Sequence, residues 1–396
     1  MREAYIVSAV RTPGCRRAKG AFADTRPEGL LSFILGAAVD KVPGLSKGDV
    51  EDIMCGCSFP EAEQGLNVGR ICGQIGGFPQ AVSGATVNRF CASGLEAVVQ
   101  ASMRVMCGFS DVTIGAGLES MSYVPMGGNM PRPCPEYTEA HPEMYCSMGI
   151  TAENVAKRYN VSREAQDEFA YNSHMKAAAA RDNGKFIEVV PTPAIKYVEQ
   201  PDGTFKKETF IQAVDDGIRA ETTMEGLAKL RPVFAAVGSV TAGNSSQTTD
   251  GSAACVIMSG DKMKALGIKP LGKLVCYATV GCNPDEMGVG PALAIPKVLA
   301  KAGVKIEDVG LFEINEAFAS QALYCMRELG IDKPGMIERV NIHGGAIALG
   351  HPLGCTGAKL AATLLNNMKT RGVKYGVESM CIGGGMGAAA LFELCD

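Results

Sequence analysis

A histidine and a cysteine near the C-terminus lie in glycine-rich segments that suit proton-transfer chemistry. His351, one of only four histidines, follows GGAIALG at residues 344–350, and Cys381 opens CIGGGMG at residues 381–387. Glycine at this density lets the backbone approach a ligand and leaves N–H groups free to point at it. Neither the Lys-Ser/Thr of a phosphate loop nor a dinucleotide fingerprint is present, so we discount both. A separate nucleophile has to come from elsewhere in the chain.

Cys91 is the candidate nucleophile. It stands in NRFCASG at residues 88–94, where a polar start and small residues precede an apolar helical run, so we expect it at a helix N-terminus. The helix dipole and free N–H groups there would lower a thiol pKa from about 8.5. A backbone N–H at the same place could hold a developing oxyanion. The alternative is that Cys91 is a small buried hydrophobic residue, like most of the 15 cysteines.

Three further residues have a structural alternative beside the functional one. Asn315, in NEAFA at residues 315–319, lies at a strand-to-helix transition, where asparagine often serves only as a cap. His351 is held extended by the proline that follows it, and a lone histidine is usually structural. Cys381 ends a strand, where its thiol could shuttle a proton and the N–H of Gly383 could act as a donor.

The elements that must position these residues follow an α/β pattern. Short apolar strands alternate with helical periodicity over residues 1–118, which predicts a layered sheet. The same pattern returns near the C-terminus. Three pairs of segments correspond at offsets of 256, 263 and 267 residues, namely 49–53 with 305–309, 90–95 with 353–358, and 112–117 with 379–384. The repeated order indicates an internal duplication in which each half contributes one side of a shared site.

The amino-acid composition and the hydrophobic pattern change between the two halves. Residues 119–148 are rich in Pro, Met and Gly, residues 151–182 have a helical pattern, and residues 195–210 predict a hairpin that turns at 201–203. We interpret residues 119–248 as an inserted lobe that covers or shapes the pocket.

Composition excludes several classes of function. The chain has 396 residues, 46% hydrophobic and 20% charged, with a net charge of −4 and no basic run, so nucleic-acid binding is not expected. No apolar run reaches the ~18 residues of a membrane span, and the N-terminus predicts a strand. We therefore expect a cytoplasmic protein with reduced thiols and no membrane insertion. Cys55 and Cys57 have no partner pair at zinc-site spacing, so no metal site is expected.

Taken together, the four motifs at residues 88–94, 315–319, 344–352 and 381–387 resemble the thiolase family. The resemblance covers essentially the whole chain, starting at VSAVRTP (residues 7–13). Thiolases join or cleave carbon–carbon bonds between coenzyme A thioesters. The family fold is an α/β five-layer α-β-α-β-α sandwich of two duplicated five-stranded halves plus an inserted loop domain. The resemblance implies an N-terminal half at residues 1–118 and 249–270, a loop domain at 119–248, and a C-terminal half at 271–396.

The resemblance also implies a role for each motif residue. Cys91 would be the nucleophile that becomes acylated, His351 would accept its proton, and Cys381 would take or give the proton at the α-carbon. Asn315 and His351 would position a water in one oxyanion hole, and the N–H groups of Cys91 and Gly383 would form the other. The positions that match coenzyme A or acyl-pocket residues are Arg219, Phe234, Ala242, Ser246, Met148, Ala317 and Phe318. Coenzyme A acts as a substrate or cosubstrate, no permanently bound cofactor or metal is implied, and a homo-oligomer (dimer or tetramer) is expected.

Two details bear on the substrate. NSSQ (residues 244–247) and HPLGCTG (residues 351–357) resemble the degradative 3-ketoacyl-CoA thiolases of fatty-acid β-oxidation, and Ser147 stands where short-chain acetoacetyl-CoA enzymes more often carry histidine. We therefore favour 3-ketoacyl-CoA cleavage, or the reverse Claisen condensation, over a short-chain-specific acetoacetyl-CoA thiolase. A ketoacyl-synthase-type enzyme and an inactive acyl-CoA-binding scaffold fit the intact motifs less well. His343 replaces the usual family asparagine, and we expect it to be structural.

Overall fold

The computed structural model describes residues 2–395, which contain twelve strands and twelve α-helices. The strands are β1 (Ala4–Arg11), β2 (Cys15–Arg16), β3 (Asp52–Gly56), β4 (Ser83–Val87), β5 (Val112–Ser120), β6 (Thr192–Glu199), β7 (Phe205–Gln212), β8 (Thr249–Ser259), β9 (Gly272–Gly281), β10 (Leu311–Ile314), β11 (Tyr375–Ile382) and β12 (Met386–Leu394). The helices are α1 (Pro27–Asp40), α2 (Val68–Ile75), α3 (Ser93–Met106), α4 (Pro135–Ala140), α5 (Met148–Arg158), α6 (Arg163–Asp182), α7 (Met224–Ala228), α8 (Gly260–Leu266), α9 (Gly290–Ala302), α10 (Ala319–Glu328), α11 (Ala346–Leu349) and α12 (Thr356–Arg371).

The main sheet runs through both halves of the molecule. Its strand order is β4-β3-β5-β8-β1-β9-β12-β11-β10, with β2 paired to β8. The halves join between β1 and β9, which pair only at Tyr5–Lys273 and Ile6–Gly272. The N-terminal half supplies five strands in this order. In the C-terminal half an isolated parallel bridge between Phe312 and Val340 lies beside β10, where a fifth strand was expected.

Helices α3 and α12 form the central layer. Apolar residues recur on α3 at helical spacing, and Leu95 and Val98 pack in one core with Leu364 and Leu365 of α12 and with strands of both halves. On the outer faces, α1 and α2 cover the N-terminal half and α9 covers the C-terminal half. This arrangement agrees with the predicted five-layer α-β-α-β-α sandwich.

The duplication is visible in two turn–helix units. A 3₁₀ turn at Phe90–Ala92, here called the N-half turn, leads into α3, and a 3₁₀ turn at Leu353–Cys355, the C-half turn, leads into α12. The two turns begin 263 residues apart, as predicted. The first residues of β3 and β10 are 259 apart and those of β5 and β11 are 263 apart, so the predicted offsets of 256 and 267 were wrong. Strands of small and apolar residues resemble each other in several registers, which explains the error.

The segment between β5 and β8 contains α4 to α7 and the hairpin of β6 and β7. The predicted hairpin is confirmed, with β6 and β7 antiparallel from Thr192–Gln212 to Glu199–Phe205. The predicted helical stretch is two helices, because Asn160 adopts a positive φ of 52° and Ser162 caps α6. The three domain boundaries stay a prediction. In the described part of the chain, no helix is long and apolar enough to cross a membrane.

Candidate active site

Close contact between α3 and α12 brings the two halves of the site together. A Cβ on Gly94 would meet the backbone nitrogen of Ala358 at 2.6 Å, and a Cβ on Gly357 would overlap the backbone of Leu95. Only glycine allows the two helix starts to approach backbone to backbone. The N-half turn, which carries Cys91, and the C-half turn, which follows His351, therefore lie in contact.

Buried Glu119, at the end of β5, ties the C-half turn to the N-terminal half. Its carboxylate accepts hydrogen bonds from the backbone N–H groups of Ser58 and Gly354, both at 2.8 Å, and from the side chain of Gln64. Burial raises the pKa of Glu119, while these hydrogen bonds oppose the rise. Sequence reasoning missed this residue, although a single acid near the end of an otherwise uncharged strand was a visible signal.

Cys91 is the middle residue of the N-half turn and is 2% exposed. The N–H groups of Gly383 and of Cys91 itself are within hydrogen-bonding reach of its sulfur. The preceding Phe90 adopts a positive φ of 44°, a strained conformation of the kind that accumulates at functional sites. Burial nevertheless raises the pKa of Cys91 to about 12. The predicted lowering of this pKa was therefore wrong, because desolvation outweighs the N–H groups.

His351 has a defined tautomer. Its Nδ1 lies 2.5 Å from Thr356 Oγ1, and that hydroxyl donates to the carbonyl of Pro352 at 3.1 Å. Because the Thr356 hydrogen is used there, its oxygen accepts from Nδ1–H, and we assign a bare Nε2 on this basis. Nε2 lies 3.3 Å from Asn315 Nδ2. Burial lowers the pKa of His351 to about 3, so the ring is neutral.

Asn315 reaches the site from the end of β10. Its backbone N–H donates to the carbonyl of Ser379 on β11 at 2.9 Å, which holds its side chain beside His351. Within residues 2–395 its side-chain oxygen is buried without a hydrogen-bond partner. A buried amide oxygen in this state has an open position for one more donor.

Cys381 is the penultimate residue of β11 and is fully buried. Burial, and then the neighbouring Cys91, raise its pKa well above the ordinary thiol value, so it is a neutral thiol. It packs in one apolar cluster with Met148, Ala317 and Phe318. The structure thus places three of the predicted pocket residues around the second cysteine.

A cavity of about 540 Å³ opens onto Cys91 and Gly383. Met148 lines it, as predicted. Most of its remaining wall is apolar or aromatic, and these residues, which sequence reasoning did not single out, are Phe59, Phe90, Met126, Tyr137, Met144, Tyr145, Met287 and Leu353. Several come from the Pro-, Met- and Gly-rich segment at 119–148. That composition was the one signal that could have revealed them.

The other predicted coenzyme A positions divide into two groups. The N–H of Ser246 donates to the carbonyl of Ala317 at 3.0 Å, and the ring of Phe234 meets Phe318 edge-on at 6.0 Å, so both connect to the cluster around Cys381. Arg219 and Ala242 are exposed. The N–H of Arg219 donates to Nδ1 of His174 at 3.3 Å.

Glu316 fixes the loop that precedes His351. It is buried and accepts from Ser173 Oγ at 2.6 Å, Asn341 Nδ2 at 2.9 Å and the N–H of Ile347 at 3.2 Å. His343, in the same loop, packs its ring edge-on against Phe186, with centroids 6.0 Å apart, as a structural histidine would. Over residues 2–395, no group of three or more His, Cys, Asp or Glu side chains is placed to hold a metal ion.

Comparison with known proteins gives a consistent picture. The chain matches the thiolase N-terminal domain over residues 4–261 and the thiolase C-terminal domain over residues 268–394. It is 49% identical to the 3-ketoacyl-CoA thiolase of Bacillus subtilis over 396 residues, which covers all of both chains. It is 47% identical to the human peroxisomal 3-ketoacyl-CoA thiolase over 99% of this chain and 91% of that one.

Solved structures agree. The acetyl-CoA acetyltransferase of Bacillus anthracis superposes with a TM-score of 0.89 at 36% identity, over 100% of this chain and 99% of that one. The dimeric peroxisomal thiolase of Saccharomyces cerevisiae gives 0.87 at 38% identity, over 100% and 98% of the two chains. Two family domains that span nearly the whole chain, a full-length relative and the shared fold together show that this chain belongs to the thiolase family.

Proposed function

We propose that this enzyme catalyses the thiolytic cleavage of 3-ketoacyl-CoA by coenzyme A, giving acetyl-CoA and a shortened acyl-CoA, and the reverse Claisen condensation. The observation that carries the proposal is the pairing of Asn315 with His351 and of Cys91 with Cys381, on segments joined by the contact between the N-half and C-half turns. The full-length relatives with the name 3-ketoacyl-CoA thiolase support this direction.

In the first half-reaction, the sulfur of Cys91 attacks the 3-keto carbonyl and its proton passes to Nε2 of His351. The bond between C2 and C3 then breaks, the acyl group stays on Cys91 as a thioester, and the C2 carbanion takes a proton from Cys381 to give acetyl-CoA. The bare Nε2 is the atom that this step requires as an acceptor.

In the second half-reaction, the thiol of an incoming coenzyme A gives its proton to the Cys381 thiolate and attacks the acyl-enzyme. Cys91 leaves and regains its proton from His351, so both bases return to their starting states. One thioester replaces another in this step, which makes the transfer nearly isoenergetic.

The pKa values explain why the base is needed. Both thiols are held neutral by burial, with the pKa of Cys91 at about 12. Deprotonation is therefore coupled to attack on the substrate carbonyl. The negative charge moves to the carbonyl oxygen. The N–H groups of Cys91 and Gly383 form one oxyanion hole, and Asn315 and His351 position a water in the other.

The cavity supports acyl chains longer than that of acetoacetyl-CoA. Its apolar and aromatic wall includes Cys91, Tyr137 and Met144, so a hydrocarbon chain can be buried there.

The coenzyme A moiety would contact Arg219, Phe234, Ala242 and Ser246. The short-chain-specific alternative is disfavoured by the names of the full-length relatives. We place the enzyme in the cytoplasm.

A homodimer is the proposed assembly, with a tetramer as a further stage. Strand β4 is the last strand at its end of the sheet. Beside it, Leu66 is 89% exposed, and the next residue, Asn67, donates to the carbonyl of Gly84 in β4. An exposed leucine next to the edge strand of the sheet suits a contact with a second copy of the chain.

Light scattering should show a shift toward monomer for Leu66→Asp. It should show no shift for Val237→Asp, a control at an apolar residue that is 99% exposed. Monomeric wild type would contradict the dimer.

Acetyl-CoA labelled in the acetyl group tests the division of roles. We expect wild type and Cys381→Ala to acquire the label on Cys91, and Cys91→Ser to acquire none, as read by mass spectrometry of the intact protein and its peptides. Failure of Cys381→Ala to become labelled would show that Cys381 acts before acylation.

A chain-length series of 3-ketoacyl-CoA substrates tests the proposed specificity. A steep preference for the four-carbon substrate would overturn the proposal that longer acyl chains are cleaved.

A further inference from the structure

Lys359, the fourth residue of α12, is a buried cation next to the loop that precedes His351. It is 4% exposed, and its Nζ donates to the carbonyls of Leu349 and Gly350, both at 2.8 Å. These are the two residues that precede His351. A buried ammonium group with two carbonyl acceptors makes charge-assisted hydrogen bonds, which are stronger than neutral ones.

The backbone at this point needs such support. Gly350 has a positive φ of 78°, and a Cβ there would overlap the side chain of Thr249. The short helix α11 ends directly before it, so the carbonyl of Leu349 lies at a helix C-terminus, where a cation is favourable. The backbone conformation that leads into His351 is therefore set at Gly350, whose carbonyl accepts a hydrogen bond from Lys359.

The two carboxylates nearest Lys359 in charge, Asp215 and Glu188, are paired with another cation. Arg11 forms ion pairs with Asp215 at 2.7 Å and with Glu188 at 3.2 Å. Asp215 also accepts from the N–H of Gly14 at 2.7 Å. The titratable groups whose charge acts on Lys359, or on which its charge acts, are Arg11, Glu188, Asp215, Glu313, His351 and Cys355. The two loop carbonyls are thus the hydrogen-bond acceptors that the structure gives to Lys359.

We propose that Lys359 is a positioning residue for the base His351, because its hold on the carbonyls of Leu349 and Gly350 fixes the backbone that orients the imidazole ring. The inference rests on the proposed function, in which His351 accepts the Cys91 proton. The family resemblance assigned no role to this residue. Thr356, three residues earlier on the same helix, fixes the ring itself, so α12 supports His351 at two points.

The charge of Lys359 affects the pKa of His351. Burial lowers the pKa of Lys359 to about 8, so the cation persists below that pH and is lost as pH rises through it. The charge of Lys359 in turn adds to the lowering of the His351 pKa that burial begins. Removing the charge therefore raises the pKa of His351, and the neutral ring is retained over a narrower range of acid pH.

Three substitutions separate the charge from the hydrogen bonds. Lys359→Met removes both, Lys359→Gln keeps an amide donor without charge, and Lys359→Arg keeps both. We expect Lys359→Met to slow acetylation of Cys91 by about a hundredfold through kcat, with KM for acetyl-CoA little changed. Lys359→Gln should fall between, and Lys359→Arg should restore most of the rate. Lys47→Met, which removes a lysine bonded to the carbonyl of Gly76 at 2.7 Å far from the site, is the matched control.

Nitrogen-15 NMR of the four histidines gives a readout that does not depend on turnover. We expect His351 in wild type to show the Nδ1–H tautomer with no titration from pH 8 to 5, and Lys359→Met and Lys359→Gln to show mixed tautomers or a titration at higher pH. Wild-type rates and an unchanged His351 spectrum in Lys359→Met would overturn the proposal. If Lys359→Met does not fold, the folded Lys359→Gln spectrum decides. Failure of wild type to become acetylated would instead contradict the proposed function.

Discussion

The two turn–helix units of the duplication share the order of a 3₁₀ turn followed by a long helix, but they have different uses. The middle residue of the N-half turn is Cys91, and the middle residue of the C-half turn is Gly354. Two positions before the turns stand Asn88 in the first half and His351 in the second. Asn88 donates to the carbonyl of Ser58 at 2.9 Å and accepts from the N–H of Phe90 at 2.8 Å, which is a structural task. His351 instead presents Nε2, the ring nitrogen assigned without a hydrogen, to Asn315.

The difference teaches how one copied element came to serve two roles. The C-half turn is pressed against the N-terminal half, where a Cβ on Gly354 would meet Cys57 Cα at 2.6 Å and the Glu119 carboxylate at 2.8 Å. No nucleophile fits there. The N-half turn instead faces the cavity, so its middle position has room for a thiol. The N-half turn thus carries the proposed nucleophile, and the segment directly before the C-half turn carries its proposed base.

The largest effect is expected at the middle position of the N-half turn. Cys91→Ala should lower kcat by about 10⁴-fold or more, because no other group forms the thioester. Its free energy of unfolding should change by only about 1 kcal/mol, since a single small buried atom is lost. Steady-state thiolysis and urea unfolding measure the two quantities. Cys72→Ala, a buried thiol on α2, is the control and should retain activity.

Making the second half resemble the first should have the next largest effect. His351→Asn, which installs the residue found at the corresponding position of the first half, removes the proton acceptor and should lower kcat by about 10²- to 10⁴-fold. KM for the acyl-CoA should change little. His343→Asn, in the same loop, should keep the wild-type rate, and equal losses in the two variants would refute the assignment of the base.

A stability effect should appear at the middle position of the C-half turn. Gly354→Ala forces a Cβ into the backbone of residues 57–58 and the Glu119 carboxylate, and should cost about 3 kcal/mol of unfolding free energy. Gly29→Ala, in α1 with nothing within 4 Å of the added Cβ, should be neutral or stabilising. Chemical denaturation of both variants provides the comparison. An unchanged Gly354→Ala midpoint would mean that the turn is not packed as described.

The smallest effect concerns pH. His351 has an ordinary pKa of 6.5 and a folded pKa of about 3, so the unfolded chain binds its proton first as pH falls. Stability is therefore lost on acidification from 6.5 toward 3, with a slope of up to about 1.4 kcal/mol per pH unit for this one group. His351→Asn should reduce that slope. His174, whose pKa burial lowers to about 4, keeps its own contribution to the loss of stability in acid. Urea unfolding at pH 7.5, 6.5 and 5.5 should resolve the difference.

The sequence predicted the pieces of the site better than their environment. The motifs around Cys91, Asn315, His351 and Cys381 can be found by residue type and spacing because the chemistry restricts what each position holds. Glu119, Thr356 and Lys359 were missed, since their importance depends on contacts between segments far apart in the chain.

The pKa of Cys91 shows the limit most clearly. A helix N-terminus can be predicted from NRFCASG, and it does favour the thiolate. The opposing desolvation comes from residues far from Cys91 in the chain, Phe59, Met121 and Leu353, and no local sequence pattern reports it. The fold class could be predicted from the sequence, because strand and helix periodicities are local and the duplication repeats them. The exact sequence offsets between the corresponding strands β3 and β10, and β5 and β11, could not be predicted.

The position of β1 in the sheet has a consequence for synthesis of the chain. β1 is made first, yet its sheet partners are β8 and β9, which begin at Thr249 and Gly272. At ribosomal speeds of about 5–20 residues per second, this strand waits roughly 10 to 50 s for its neighbours. During that time the growing polypeptide carries an unpaired apolar strand. We therefore expect nascent chains that stop before residue 249 to bind general chaperones, and chains that extend beyond β9 to be released from them.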